Sequence, residues 1–146
     1  LQATLWIFII PFVFARIVMM LGNWAQHSFI DKNNTEDNFT SAINCINTKY
    51  NQMCWNDGYH TVHHLRPGMH YTEIPGEFLK MKDEFIQKKA IIFDGIHYLH
   101  VFVWLMTKNY DKLADNLVNI DNKTFSSKEE AIELMKERTK KIKMIA

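Results

Sequence analysis

Only two cysteines, Cys45 and Cys54, occur in the 146 residues. They fit no Cys-x-x-Cys spacing and give no disulfide framework, so a cysteine-stapled scaffold is excluded and a reducing, cytosolic setting is the natural one. Five glycines are present, none arranged as a phosphate-cradling loop, and neither an internal repeat nor a G-x-S-x-G nucleophile turn occurs. A net charge of +1 supplies no field for nucleic acid. Residues 1–15 carry no Lys or Arg, and no small-residue cleavage site follows the apolar run there, which argues against a signal peptide.

That apolar run is the first positive feature. Residues 3–21 are almost entirely hydrophobic, and as a helix they extend about 28 Å, the thickness of a bilayer's hydrocarbon core. Pro11 and Arg16 interrupt the pattern. Proline is tolerated in spanning helices, and an arginine near the polar end extends its side chain to the headgroups or faces a bundle interior.

The second feature is a histidine box, His60-Thr61-Val62-His63-His64. On a helix, positions 60, 63 and 64 share a face, so three neutral imidazoles converge on a point that suits a metal. Asn56-Asp57-Gly58-Tyr59 leads into the box as a turn, and Asn23 and His27, behind the apolar run, stand four apart.

These residues resemble the membrane fatty-acid desaturases. Asn23 and His27 match an NxxxH element placed after a transmembrane helix, and Asp57 through His64 match an acidic-Gly-aromatic-HxxHH run. The resemblance implies a histidine-rich di-iron site that activates oxygen and dehydrogenates an acyl-lipid or acyl-CoA chain. It makes His27, His60, His63 and His64 metal ligands, and Asn23 a contact through water. Asp57 is the candidate acceptor behind a ligating ring, equally readable as a turn residue, and His70 a further candidate facing the site. Two earlier boxes of the family, HxxxH and another HxxHH, are missing. The chain therefore reads as the C-terminal part of a longer enzyme, inactive alone. No His-Pro-Gly-Gly haem motif is present, so electrons come from an external donor such as cytochrome b5 or ferredoxin. Two other readings remain: a lipid or alkyl hydroxylase of the same superfamily, and a non-catalytic membrane protein that holds zinc or haem.

The expected fold is all-α: an integral membrane helix (1–22), a cytosolic histidine-box region (23–76), and a helical cap (77–146), carrying part of a di-metal site. A polar loop covers 31–40, and a short helix or turn covers 41–46. The spacing of Phe78, Met81 and Phe85 predicts an amphipathic helix over 77–89, after a break at Pro75-Gly76. Residues 90–106 read as one interfacial helix, with Asp94, His97, His100 and Lys108 on its polar side. Ser126 with Glu129 signals the capping box of a last helix ending in basic Lys140-Lys141-Ile142-Lys143, which suits the helix dipole and anionic headgroups.

Charge sets the expected topology. With no cation before Arg16 and Lys32 close behind the span, the histidines face the cytoplasm, here the cytoplasmic face of the endoplasmic reticulum. Three Asn-x-Ser/Thr sequons at Asn33, Asn38 and Asn122 act as reporters. In eukaryotic cells all three stay unmodified, and endoglycosidase leaves the electrophoretic mobility unchanged; a glycan on any of them places the histidines in the lumen.

Overall fold

The structure is a computed structural model that describes residues 1–141. Residues 142–146, including Ile142 and Lys143 of the basic tail, lie outside the described residues. The first helix, α1 (Gln2–Gln26), is 25 residues long. Among the described residues it is the one helix long and apolar enough to cross a membrane, and none of its apolar window is buried against the rest of the chain. Leu5–Ile9 wind as a single π turn just ahead of Pro11. Proline brings no N–H and crowds the carbonyl four residues earlier; the widened turn absorbs that misfit without breaking the helix.

Beyond α1 the chain builds a small cap. α2 (Asn38–Ser41) is capped by Asp37, and β1 (Asn44–Ile46) follows. Four short helices come next: α3 (Lys49–Met53), α4 (His60–Leu65), α5 (Ile74–Lys80) and α6 (Lys82–Gln87). β2 (Ile92–Asp94) then pairs parallel to β1, with Cys45 opposite Phe93. Last come α7 (Tyr98–Met106), α8 (Tyr110–Asp115), a 3-10 turn (Ile120–Asn122) and α9 (Lys128–Arg138). The fold is mostly helical, as expected, with this one parallel strand pair at its centre.

The strand pair divides two cores. Ile91 and Phe93 point into a cluster with Ala25, Phe29, Val101 and Met135, while Ala90 and Ile92 point into a second with Val62, Phe78 and Phe85. Successive side chains of a strand alternate between faces, so a strand buried on both reads as an unbroken apolar run. For that reason 90–106 is not one helix. Gly95, at φ +70°, turns the chain after β2, and α7 begins only at Tyr98. His97 caps it by accepting the Leu99 N–H (3.2 Å), and His100 accepts the His97 N–H (3.4 Å). Those two histidines cap a helix rather than line a polar stripe.

Other boundaries also differ from expectation. The segment 41–46 holds the last residue of α2 and then strand, because Asn44–Ile46 finds β2 as partner. Helix 77–89 is two helices that meet at Met81, and the first starts earlier, with Pro75 in its opening turn, where no N–H is needed. The cap of α9 is shifted by one. Ser127 accepts the Glu130 N–H and Glu130 accepts the Ser126 N–H, a register held by the Lys89–Glu130 ion pair; Ser-Ser followed by Glu-Glu permits either register.

Phe85 is fully buried, with its ring 4.5 Å from Phe78 and 5.1 Å from Phe39. Phe85→Ala is expected to cost about 3–5 kcal/mol of cap stability, read as a lowered Tm of the detergent-solubilised protein, with Phe85→Leu much milder.

Candidate metal centre

α1 ends where the site begins. His27 leaves the helical spiral with φ −118° and ψ 23°, and its ring turns toward the C-terminal end of α2. Its Nδ1 lies 2.8 Å from the Ser41 carbonyl oxygen. A carbonyl only accepts, so Nδ1 carries the proton and Nε2 presents its lone pair.

α4 brings the box against that lone pair. Thr61, fully buried, donates its N–H to Asn44 Oδ1 (3.0 Å) and accepts at Oγ1 from Asn44 Nδ2 (2.9 Å), which fastens the first turn of α4 to β1. The turn before it is tied to the same strand: Cys45 N–H donates to Gly58 O (2.8 Å), and Gly58 N–H donates to Asn51 Oδ1 (2.9 Å). A Cβ on Gly58 would lie 2.2 Å from both Asn51 Oδ1 and Cys45 O. Only glycine fits this approach.

The result is a three-imidazole cluster. His60 Nε2 lies 3.3 Å from His27 Nε2 and 3.1 Å from His64 Nε2. These contacts cannot both be hydrogen bonds. If His60 Nε2 carries a proton, it has no lone pair for His64; if it does not, it faces the His27 lone pair unprotected. A cation at the centre resolves the conflict. Nitrogens bound to one metal at ~2.0–2.1 Å stand about 3–3.4 Å apart, the spacing seen here. His64 is itself exposed, but partial desolvation of its ring, with His60, His27 and His63 nearby, lowers its pKa to about 4, so that ring is neutral and ready to ligate at physiological pH.

Of the remaining expected site residues, Asp57 stands closest. Its Oδ1 is 3.7 Å from His60 Nδ1, too long for a hydrogen bond, and that buried nitrogen has no other partner. Burial opposes the charge of Asp57, but His60 and the hydrogen bond from Tyr50 outweigh it and hold its pKa below the usual carboxylate value. His63 is not drawn into the cluster; it is exposed, its ring stacked 5.7 Å from that of His60. Asn23 is exposed and lines an apolar cavity of about 530 Å³ that also reaches Gln26, Tyr50 and Asp57. His70 is exposed and paired with Thr72 Oγ1 at 2.8 Å. Sequence reading missed Asn44, Gln26, Tyr50 and Tyr98. Gln26, beside His27 in the NxxxH element, offered the one local signal.

Fold and site together define a mostly helical protein with one helix long and apolar enough to cross a membrane among the described residues, whose helical cap gathers imidazoles at the end of that helix. The sequence model of the fatty acid desaturase family matches residues 1–95, a stretch that contains the whole cluster, and the chain belongs to that family. Neither a curated protein nor a solved structure matches it.

Gly58→Ala is expected to cost about 3 kcal/mol through the forced clash with β1, lowering Tm and opening the 57–64 segment to proteolysis. Wild-type Tm in this variant would show that the turn does not depend on the contact.

Proposed function

We propose that this chain carries part of the catalytic centre of an oxygen-dependent, di-iron acyl-chain desaturase. The observation that carries the reading is the convergence of three imidazoles from two separate sequence elements: His60 Nε2 lies 3.3 Å from His27 Nε2 and 3.1 Å from His64 Nε2, and one ring nitrogen from each of the three lies within 4.8 Å of the others. Neutral imidazoles suit ferrous iron, since they bind it well and add no charge. Bound there, the iron supplies oxygen activation and removal of hydrogen from an unactivated C–H bond.

The chain's own residues do the holding. His27 is oriented by the Ser41 carbonyl, His60 is backed by Asp57, and His64 completes the triad from the next turn of α4. Asn23, one turn before His27, acts through water. The apolar surface of α1 sets the acyl chain, as acyl-CoA or acyl lipid, beside the centre in the membrane. Three converging imidazoles fall short of the ligand set of two irons, so histidines outside these residues complete it, and the cluster alone is inactive. Its cytoplasmic placement gives an external electron donor access at the endoplasmic reticulum.

The test is product analysis by gas chromatography of host lipids, with iron content measured beside it in the full-length enzyme. His60→Ala and His64→Ala are expected to lose more than about 100-fold in product and to lose iron with it, whereas His70→Ala retains both. Undiminished product from the first two variants overturns the reading. A centre that takes zinc in place of iron, with no product, identifies a structural metal protein instead.

A further inference from the structure

Asp57 belongs to a hydrogen-bonded assembly drawn from three elements. Gln26 Nε2, at the end of α1, donates to Asp57 Oδ2 at 2.9 Å. The Tyr50 hydroxyl, on α3, donates to the same oxygen at 2.8 Å. The Tyr98 hydroxyl, on α7, donates to the Asp57 backbone carbonyl at 3.1 Å. With Oδ2 occupied twice, the free oxygen is Oδ1, and it faces His60 Nδ1. That nitrogen is buried and, among the described residues, has no hydrogen-bond partner. A buried N–H without an acceptor costs stability. At 3.7 Å, Asp57 Oδ1 is the carboxylate oxygen that, among the described residues, lies within ion-pair range of that nitrogen and so favours the proton on Nδ1 of His60 over Nε2.

We propose that Gln26 and Tyr50 are positioning residues of the imidazole cluster: by pinning Oδ2 they aim Oδ1 at His60 Nδ1 and commit the His60 Nε2 lone pair to the metal. Its consequence for metal affinity rests on the metal-centre reading above; its statement about the His60 tautomer does not. A ligating imidazole depends on the partner of its other nitrogen for orientation and basicity. Here that partner is itself held from outside the box. Gln26 reports the end of the membrane helix and Tyr50 reports α3, so the ligand geometry of His60 depends on both being docked.

Tyr50 separates positioning from packing. Its ring stacks 5.9 Å from His97 and meets Tyr98 edge-on at 5.9 Å, contacts that phenylalanine keeps. Tyr50→Phe therefore removes the hydroxyl alone. Gln26→Met removes the other donor at similar volume, and Asp57→Asn removes the charge.

The experiment uses the whole chain in nanodiscs. Nitrogen-15 NMR of labelled histidines, without metal, reads the His60 tautomer, and cobalt(II) titration followed by visible d–d absorption reads affinity. Wild type is expected to hold the proton on His60 Nδ1 and bind cobalt. Tyr50→Phe and Gln26→Met should shift His60 toward a mixed tautomer and weaken cobalt about 10-fold, and Asp57→Asn should weaken it about 10- to 100-fold. Because Tyr50 acts through Asp57, the double variant should bind no more weakly than Asp57→Asn alone. Wild-type affinity and tautomer in Tyr50→Phe, or losses that add in the double variant, overturn the proposal. A wild-type chain with the expected tautomer but no cobalt bands upholds the clamp and overturns the metal-centre reading.

Discussion

The reciprocal pair between Asn44 and Thr61, fully buried between β1 and α4, is the constraint on which the site depends. α4 has six residues, and its N-cap, Tyr59, gives no side-chain cap. A helix of that length does not persist alone, because nucleation costs more than one turn of hydrogen bonds returns. Asn44 supplies what Tyr59 does not. Its Oδ1 takes a first-turn N–H that the helix leaves without a partner, and its Nδ2 occupies the Thr61 hydroxyl. The cap comes from another element, so α4 forms only where β1 is formed, and β1 forms only against β2. The box is thus folded by tertiary contacts that begin in a strand pair of three residues each.

Those contacts hold together groups that repel. Two Nε2 contacts at 3.1 and 3.3 Å cannot both be hydrogen bonds, and His60 Nδ1 is buried without a partner. Each defect costs on the order of 1–3 kcal/mol. The surrounding structure offsets them: Val62 is fully buried in one core while Ala25 and Phe29 are buried in the other, and large apolar side chains contribute about 1.5–3 kcal/mol each on burial. Strain of this kind, set into an otherwise satisfied fold, marks a site built for something that relieves it. On the proposed reading, a cation taking the three Nε2 lone pairs would relieve the crowding of those nitrogens.

Much of the site was legible in the sequence because its signals are local. The spacing of His60 and His64 places both on one helical face, and the almost entirely apolar run over 3–21 announces a span. His27 is a subtler case. It stands four residues after Asn23, the spacing of one helical face, yet the helix stops at Gln26, and it is departure from the helix that carries the ring to His60. The parts that escaped reading are those decided by distant partners. Ala-Ile-Ile-Phe is equally a buried helix segment or a buried strand until Asn44–Ile46 lies beside it. No local pattern distinguishes Gln26, Tyr50 and Asn44 as partners of Asp57 and Thr61, since each pairing spans between 7 and 31 residues of sequence.

The arrangement also joins the apolar helix to the histidine cluster without an intervening linker. The residue that ends α1 is followed at once by the first imidazole of the cluster, and Ala25 and Phe29, on either side of it, are buried in the main core. Trp24 meets Phe102 of α7 edge-on at 5.6 Å, so α7 packs against the last turns of α1 and stiffens them. A span tethered by a flexible loop would let the cap choose its own height above the bilayer. Here the helix rises about 1.5 Å per residue straight into the site, and the depth of the apolar run therefore fixes the depth of His27. The same rigid join runs on through Gln26 to Asp57, so one helix end sets the position of the cluster relative to the apolar run and, on the proposal above, takes part in orienting His60.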